Sequence, residues 1–211
     1  MDTLRTPTPD RHSLPEPGGA PGGGGATGRA AFSPCRHYRW WLERQWDPGR
    51  PRLIFIGLNP SRADDQRDDP TLRRLVGFAR SWGFGALEVL NLFARITASP
   101  ALLRRSEDPV GATTDGWIQW RLRAQRRPVV WLGWGNHGSW RGRDREVLAL
   151  LQISRPTLAC LGSTLAGQPR HPLYCAATQP LLPLAASCGD RPDPGTTPCP
   201  VSPAATPSTC S

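Results

Sequence analysis

The chain has 211 residues, 38% of them apolar or aromatic, with 22 Gly, 24 Pro, a formal net charge of +9 and a pI near 10.5. That is enough chain for one ordinary domain with a core. No apolar run approaches the roughly 20 residues of a membrane span, residues 1–34 hold no apolar run of a secretory signal, and the six Cys form no C-x-x-C pair, which speaks against a zinc or iron–sulfur site. The expectation is a cytoplasmic protein with reduced thiols and no membrane partner.

All 26 basic residues are Arg. Residues 1–34 and 182–211 are close to neutral, so residues 35–181 carry a surplus of ten positive charges. A basic folded region rich in guanidinium groups suits phosphate contacts. DNA, RNA or a free nucleotide is the class of partner this favours. Residues 1–34, with GGAPGGGGATG at 18–28, and residues 184–211, rich in Pro, Ser, Thr and Ala, are expected to be disordered tails. A single domain is expected over 35–183.

From Tyr38 onward, strand and helix signals alternate. Tyr38, Trp40, Leu42 and Trp46 suggest a half-buried strand. Leu53-Ile54-Phe55-Ile56 is a short apolar strand ended by Gly57. Asp69-Pro70 reads as N-cap and first helical residue. Leu72, Leu75, Val76 and Ala79 then follow at helical spacing, and Gly83 ends that helix. Ala86–Leu92 is a second apolar strand, Pro109–Gln125 a helix, Val129–Leu132 a third strand, Trp140–Leu151 a helix and Thr157–Leu161 a fourth strand. Short apolar strands separated by helices predict a three-layer α/β/α fold around a central, mainly parallel four-stranded sheet. In such sheets ligands collect at the carboxyl ends of the strands.

Four strand ends therefore carry the candidate residues. The first gives Gly57-Leu58-Asn59-Pro60-Ser61, where Gly allows a sharp exit and Asn59 offers a donor and an acceptor ahead of a rigid Pro. The bland alternative is an Asx-Pro turn. The second ends in Asn91-Leu92-Phe93. An Asn on a Leu/Val strand must be paired if buried, either by a ligand such as a base edge or by a neighbouring loop. The third opens into Gly133-Trp134-Gly135-Asn136-His137-Gly138, a tight turn whose Gly spacing is not a dinucleotide fingerprint. After the fourth comes a polar loop, 162–170, and then Arg170-His171-Pro172-Leu173. There a His can stabilise developing negative charge or touch a phosphate. Asp64, Asp65, Asp68 and Asp69 crowd the loop after Asn59. They suit solvation and helix capping, or alternatively a divalent cation or a general base. No cofactor is indicated.

The ordered blocks LIFIGLNPSRAD, DDPTLRRLVGFARSWG, LEVLNLFA, WLGWGNHG and GQPRHPLY resemble a bacterial and phage family of unknown function over Tyr38–Leu184. More distantly, the chain is similar to the uracil-DNA glycosylase superfamily. That resemblance implies a glycosylase-like fold, with Gly57-Leu58-Asn59-Pro60 as its Gly-x-Asn/Asp-Pro loop. It further implies Asn91 as reader of the base edge, Trp134-Gly135 as its Trp-Gly turn and His171-Pro172 as its late His-Pro loop. Asn59 would position water and His171 would stabilise the departing base. Ser61 and Leu173 depart from the pattern, which has Gly and Ser there.

The leading expectation is a glycosylase-fold protein acting on or binding a nucleobase in nucleic acid, with N-glycosidic bond hydrolysis as the reaction. Asn59 and His171 are the catalytic candidates. Gly57, Pro60, Ser61, Asn91, Phe93, Trp134, Gly135 and Arg170 are the binding candidates, with an extruded base stacked near Phe93 or Trp134. The alternatives are a non-catalytic nucleic-acid or nucleotide-binding module, and a metal-assisted nucleotide or phosphoester hydrolase using Asp64–Asp69. The sequence leaves the oligomeric state open.

Overall fold

The computed structural model describes residues 26–61 and 63–184. The elements, in chain order, are β1 (Thr27–Phe32), β2 (Arg39–Gln45), β3 (Arg52–Gly57), α1 (Pro70–Ser81), β4 (Ala86–Asn91), α2 (Pro100–Arg104), α3 (Thr114–Arg123), β5 (Val129–Leu132), α4 (Arg143–Ser154), β6 (Thr157–Cys160) and β7 (Leu182–Pro183). Two 3₁₀ turns, Asn136–Gly142 and Pro172–Tyr174, lie at the carboxyl edge of the sheet.

The predicted four-stranded sheet is the middle of a larger one. Seven strands run in the order β1-β2-β4-β3-β5-β6-β7. The inner four are parallel; β1, β2 and β7 join antiparallel at the flanks. β3, β4 and β5 are largely buried apolar runs, as a sheet covered on both faces requires, and β6 is buried over its second half, Ala159-Cys160. On one face α1 packs Leu72, Leu75, Phe78 and Ala79 against Leu53, Phe55, Val89 and Trp131. On the other, α3 and α4 pack Trp117, Ile118, Leu122, Val147 and Leu151 against Ile54, Ile56, Leu90 and Leu132. The chain leaves β3 over the α1 face to reach β4, then crosses the α3 face to reach β5. The connections diverge on either side of β3, and that switch point opens a crevice at the carboxyl ends of β3 and β5.

Several expectations shift. Part of the stretch assigned to the first tail is a strand: Thr27–Phe32 pairs with β2 at the sheet edge. The rest of both proposed tails, residues 1–25 and 185–211, lies outside the described residues. β2 is buried on both faces rather than half-buried. The Pro109–Gln125 helix starts only at Thr114, because the Asp108 carboxylate accepts from Gly111 N (2.9 Å) and closes a turn first. The helix expected from Trp140 begins at Arg143, since Trp140 and Arg141 leave helical geometry. Ser99-Pro100 caps the unpredicted α2. The cap of α1 is as expected, with the Asp69 carboxylate accepting from Leu72 N at 2.8 Å.

Candidate functional site

The crevice is a cleft of about 880 Å³, within the usual range for small-molecule sites. Asn59, Asn91 and His171 all line it, as do Gly57, Pro60, Ser61, Trp134, Gly135 and Arg170. These residues come from four separated stretches, which the sheet edge brings together. The β3 end is pinned to the β4 end by Leu92 N to Gly57 O (2.9 Å) and Phe93 N to Leu58 O (3.0 Å). The β5 end is tied to the His-Pro segment by Gly135 N to Pro169 O (2.8 Å).

Small residues shape the floor. The Phe55 ring lies beneath Gly57 and Gly133. A Cβ on Gly133 would stand 2.5 Å from Phe55 Cε2, and one on Gly57 would stand 2.8 Å from Cε1 and 3.1 Å from Asn91 Nδ2. Glycine at both strand ends is thus what lets an aromatic ring and a carboxamide share this floor.

The three polar side chains are held differently. Asn59 donates from Nδ2 to Thr97 Oγ1 (3.0 Å), to Thr97 O (3.1 Å) and to Pro60 O (3.1 Å). Its donor end is therefore committed, and Oδ1 is the acceptor left for the cleft. Asn91 is only 5% exposed, and its Oδ1 is buried with no hydrogen-bond partner among the described residues. Buried acceptors in proteins are met by a neighbouring group, an ordered water or a ligand. His171 accepts from Leu173 N at Nδ1 (3.3 Å), which leaves the proton of the neutral ring on Nε2. Burial pushes the His171 pKa below its usual value, so the ring is neutral near pH 7. Arg74 of α1 clamps the segment carrying His171 by donating to Pro172 O (3.0 Å) and Cys175 O. Arg170 lies exposed at the rim, donating from Nε to Ser163 O at 3.0 Å.

Two stacking candidates and the acidic loop need correction. Phe93 is fully buried against Trp140 (centroids 5.1 Å apart) and lies outside the cleft, because β4 ends at Asn91 and the chain then turns. Trp134 reaches the cleft, but its indole is buried under Gly138 and donates to Gln168 Oε1 at 2.7 Å, so no open ring face remains. Besides Trp134 and His171, the aromatic side chains at the cleft are Phe55 on its floor and exposed Tyr174 on its rim. None of Asp64, Asp65, Asp68 and Asp69 lines the cleft. Asp64 accepts from Gln66 N and Arg67 N, Asp68 pairs with Arg44 at 2.7 Å, and Asp69 caps α1. Among the described residues no group of three His, Cys, Asp or Glu side chains is placed to hold a metal ion. Asp64, Asp68 and Asp69 are thus engaged in closing the loop, pairing with Arg44 and capping α1.

The sequence reading missed Thr97, which orients Asn59, and Arg39, which lines the cleft from β2. An Arg in the apolar run YRWWL was a signal for the second. Thr97 left none, since its role depends on a contact across 38 residues.

All the cleft residues except Tyr174 fall within one family match. The chain belongs to the DUF1643 family, described as proteins of unknown function, over residues 39–173. Comparison with curated proteins and with solved structures finds no match. No helix among the described residues is long and apolar enough to cross a membrane.

Proposed function

We propose that the cleft receives a nucleobase and that its chemistry is hydrolysis of the N-glycosidic bond to that base. The observation that carries this reading is the convergence of Asn59, Asn91 and His171 on one cleft, with the Asn91 acceptor buried and unpaired among the described residues. Asn91 offers an acceptor beside a donor, the pattern that a base edge complements. Asn59, its Nδ2 fixed by Thr97, presents Oδ1 to orient water. Neutral His171 presents Nε2–H toward charge developing on the leaving base. In the reaction the water oxygen bonds to C1′, the C1′–N electron pair leaves on the base, and the base takes up the proton released by water. The order of the motif blocks, which resembles that of the uracil-DNA glycosylase superfamily, supports the same assignment. So does the positive surplus of the domain, which suits a phosphate-bearing substrate.

The test is incubation with oligonucleotides containing uracil, hypoxanthine or mismatches, and with free nucleotides, scored for released base. Asn59→Ala and His171→Ala should each lower turnover by roughly 10²–10³ with the fold retained, the range for loss of one such stabilising group. Equal turnover by the parent and both variants would overturn the catalytic assignment. Salt-sensitive binding without base release would reduce it to recognition alone.

A further inference from the structure

The cleft contains a second buried polar group without a full set of partners. On β2, strict alternation would put Arg39 on the same face as Trp41, opposite Leu42. The β1–β2 register breaks that alternation. Ala31 pairs with Trp41 and Phe32 pairs with Arg39, so Trp40 is an inserted β-bulge residue. Trp40 and Trp41 consequently both stack on Trp117, with centroids 5.8 and 6.4 Å away. Arg39 is turned to the α1 face, where Nη1 donates to Ala63 O at 2.8 Å and the side chain lines the cleft. Bulges commonly re-aim a side chain beside a site in this way.

Arg39 is 3% exposed, and its Nε is buried with no hydrogen-bond partner among the described residues. Among the described residues no carboxylate lies within 4 Å of it. The acids whose charge it feels, Asp69 and Asp64, are engaged in capping α1 and closing the loop, and Arg44 adds repulsion. Loss of hydration pulls its pKa down to about 10, which still leaves it charged at pH 7. A buried guanidinium without a counter-ion is costly unless something completes it.

We propose that Arg39 anchors an oxyanion subsite on the inner wall of the cleft, so that the ligand is phosphate-bearing and its phosphate docks there. The nucleobase half of that ligand rests on the proposed function; the phosphate half rests on Arg39 alone. A free nucleoside monophosphate and a phosphodiester in nucleic acid share this chemistry.

Calorimetric titration of the full chain tests it, using the four ribonucleosides, their 5′-monophosphates, inorganic phosphate, and a short oligonucleotide lacking terminal phosphates. At least one monophosphate should bind tenfold or more tightly than its nucleoside, and inorganic phosphate should compete with it. Arg39→Gln should abolish both the tenfold gain and phosphate binding, and Arg39→Lys should keep part of each because the charge remains. Tighter binding of the monophosphate than of the oligonucleotide assigns the subsite to free nucleotides; the reverse assigns it to the nucleic-acid backbone.

Because Arg39 also holds the Ala63 carbonyl, denaturant unfolding accompanies each variant. Should Arg39→Gln fail to fold, the wild-type comparison of nucleoside with monophosphate decides by itself. Equal affinity for both, with no binding of phosphate, overturns the subsite and leaves the nucleobase reading standing. Arg39-dependent phosphate binding with no affinity for any nucleoside or nucleotide would do the opposite.

Discussion

Replacing Asn91 by Leu should make the ligand-free protein more stable while removing ligand binding. Asn91 sits at the end of β4, 5% exposed, with Oδ1 buried and unpaired among the described residues. A buried acceptor stripped of water and given no partner costs about 1–3 kcal/mol. Leu has nearly the same length and branching, and Gly57 opposite leaves room where a Cβ would stand 3.1 Å from Asn91 Nδ2. Part of the gain is offset by imperfect packing, so about 1–2 kcal/mol of added stability is expected. That corresponds to a rise in Tm of roughly 3–6 °C for a domain of this size. Urea unfolding with linear extrapolation measures the change directly, and an unaltered m value would show that only stability moved. The sign is what matters. If Asn91 braced a loop through its own hydrogen bonds, the variant would lose stability instead. A loss of about 1 kcal/mol or more would refute the argument that Asn91 is held open for a ligand.

Two other perturbations test the rest of the construction. Burial lowers the folded pKa of His171 below its unfolded value of 6.5, so the unfolded chain takes up the proton first on acidification. The stability due to the neutral ring is complete above the unfolded pKa and lost as pH falls through the folded pKa. Between pH 7.5 and 5 the wild type should therefore lose more stability than His171→Gln, and an equal or smaller loss would remove the buried neutral ring from the account. Glu88 has no exposed surface and accepts from Arg121 at 2.6 and 2.7 Å and from Trp41 Nε1 at 3.2 Å. Glu88→Ala would leave Arg121 and the Trp41 indole without that acceptor and should cost about 3–5 kcal/mol by denaturant unfolding; a cost under about 1 kcal/mol would show that the pair is screened by solvent.

Local chemistry alone made much of the framework legible. Runs such as Leu53–Ile56 and Val129–Leu132, short and bounded by turn residues, read as strands buried on both faces, and Asp69-Pro70 sets the start of α1, because short apolar runs and capping act within a few residues. The rule that parallel sheets place ligands at their carboxyl edge then selected Asn59, Asn91 and His171 from many polar residues, and all three reach one cleft. Phe93 shows where that logic stops. It is two residues beyond Asn91 and would share its face if β4 continued, but the chain turns after Asn91 and sends the ring into the core.

Edge strands are equally hidden. Thr27–Phe32 sits next to a glycine-rich stretch and is a strand only because β2 supplies its hydrogen bonds. Only tertiary structure decided that Thr97 holds the Asn59 amide, that the Asn91 acceptor has no partner among the described residues, and that a bulge at Trp40 swings Arg39 into the cleft. Each of these depends on register or on a contact between distant segments. Periodicity in one segment carries no information about which atoms of another will face it.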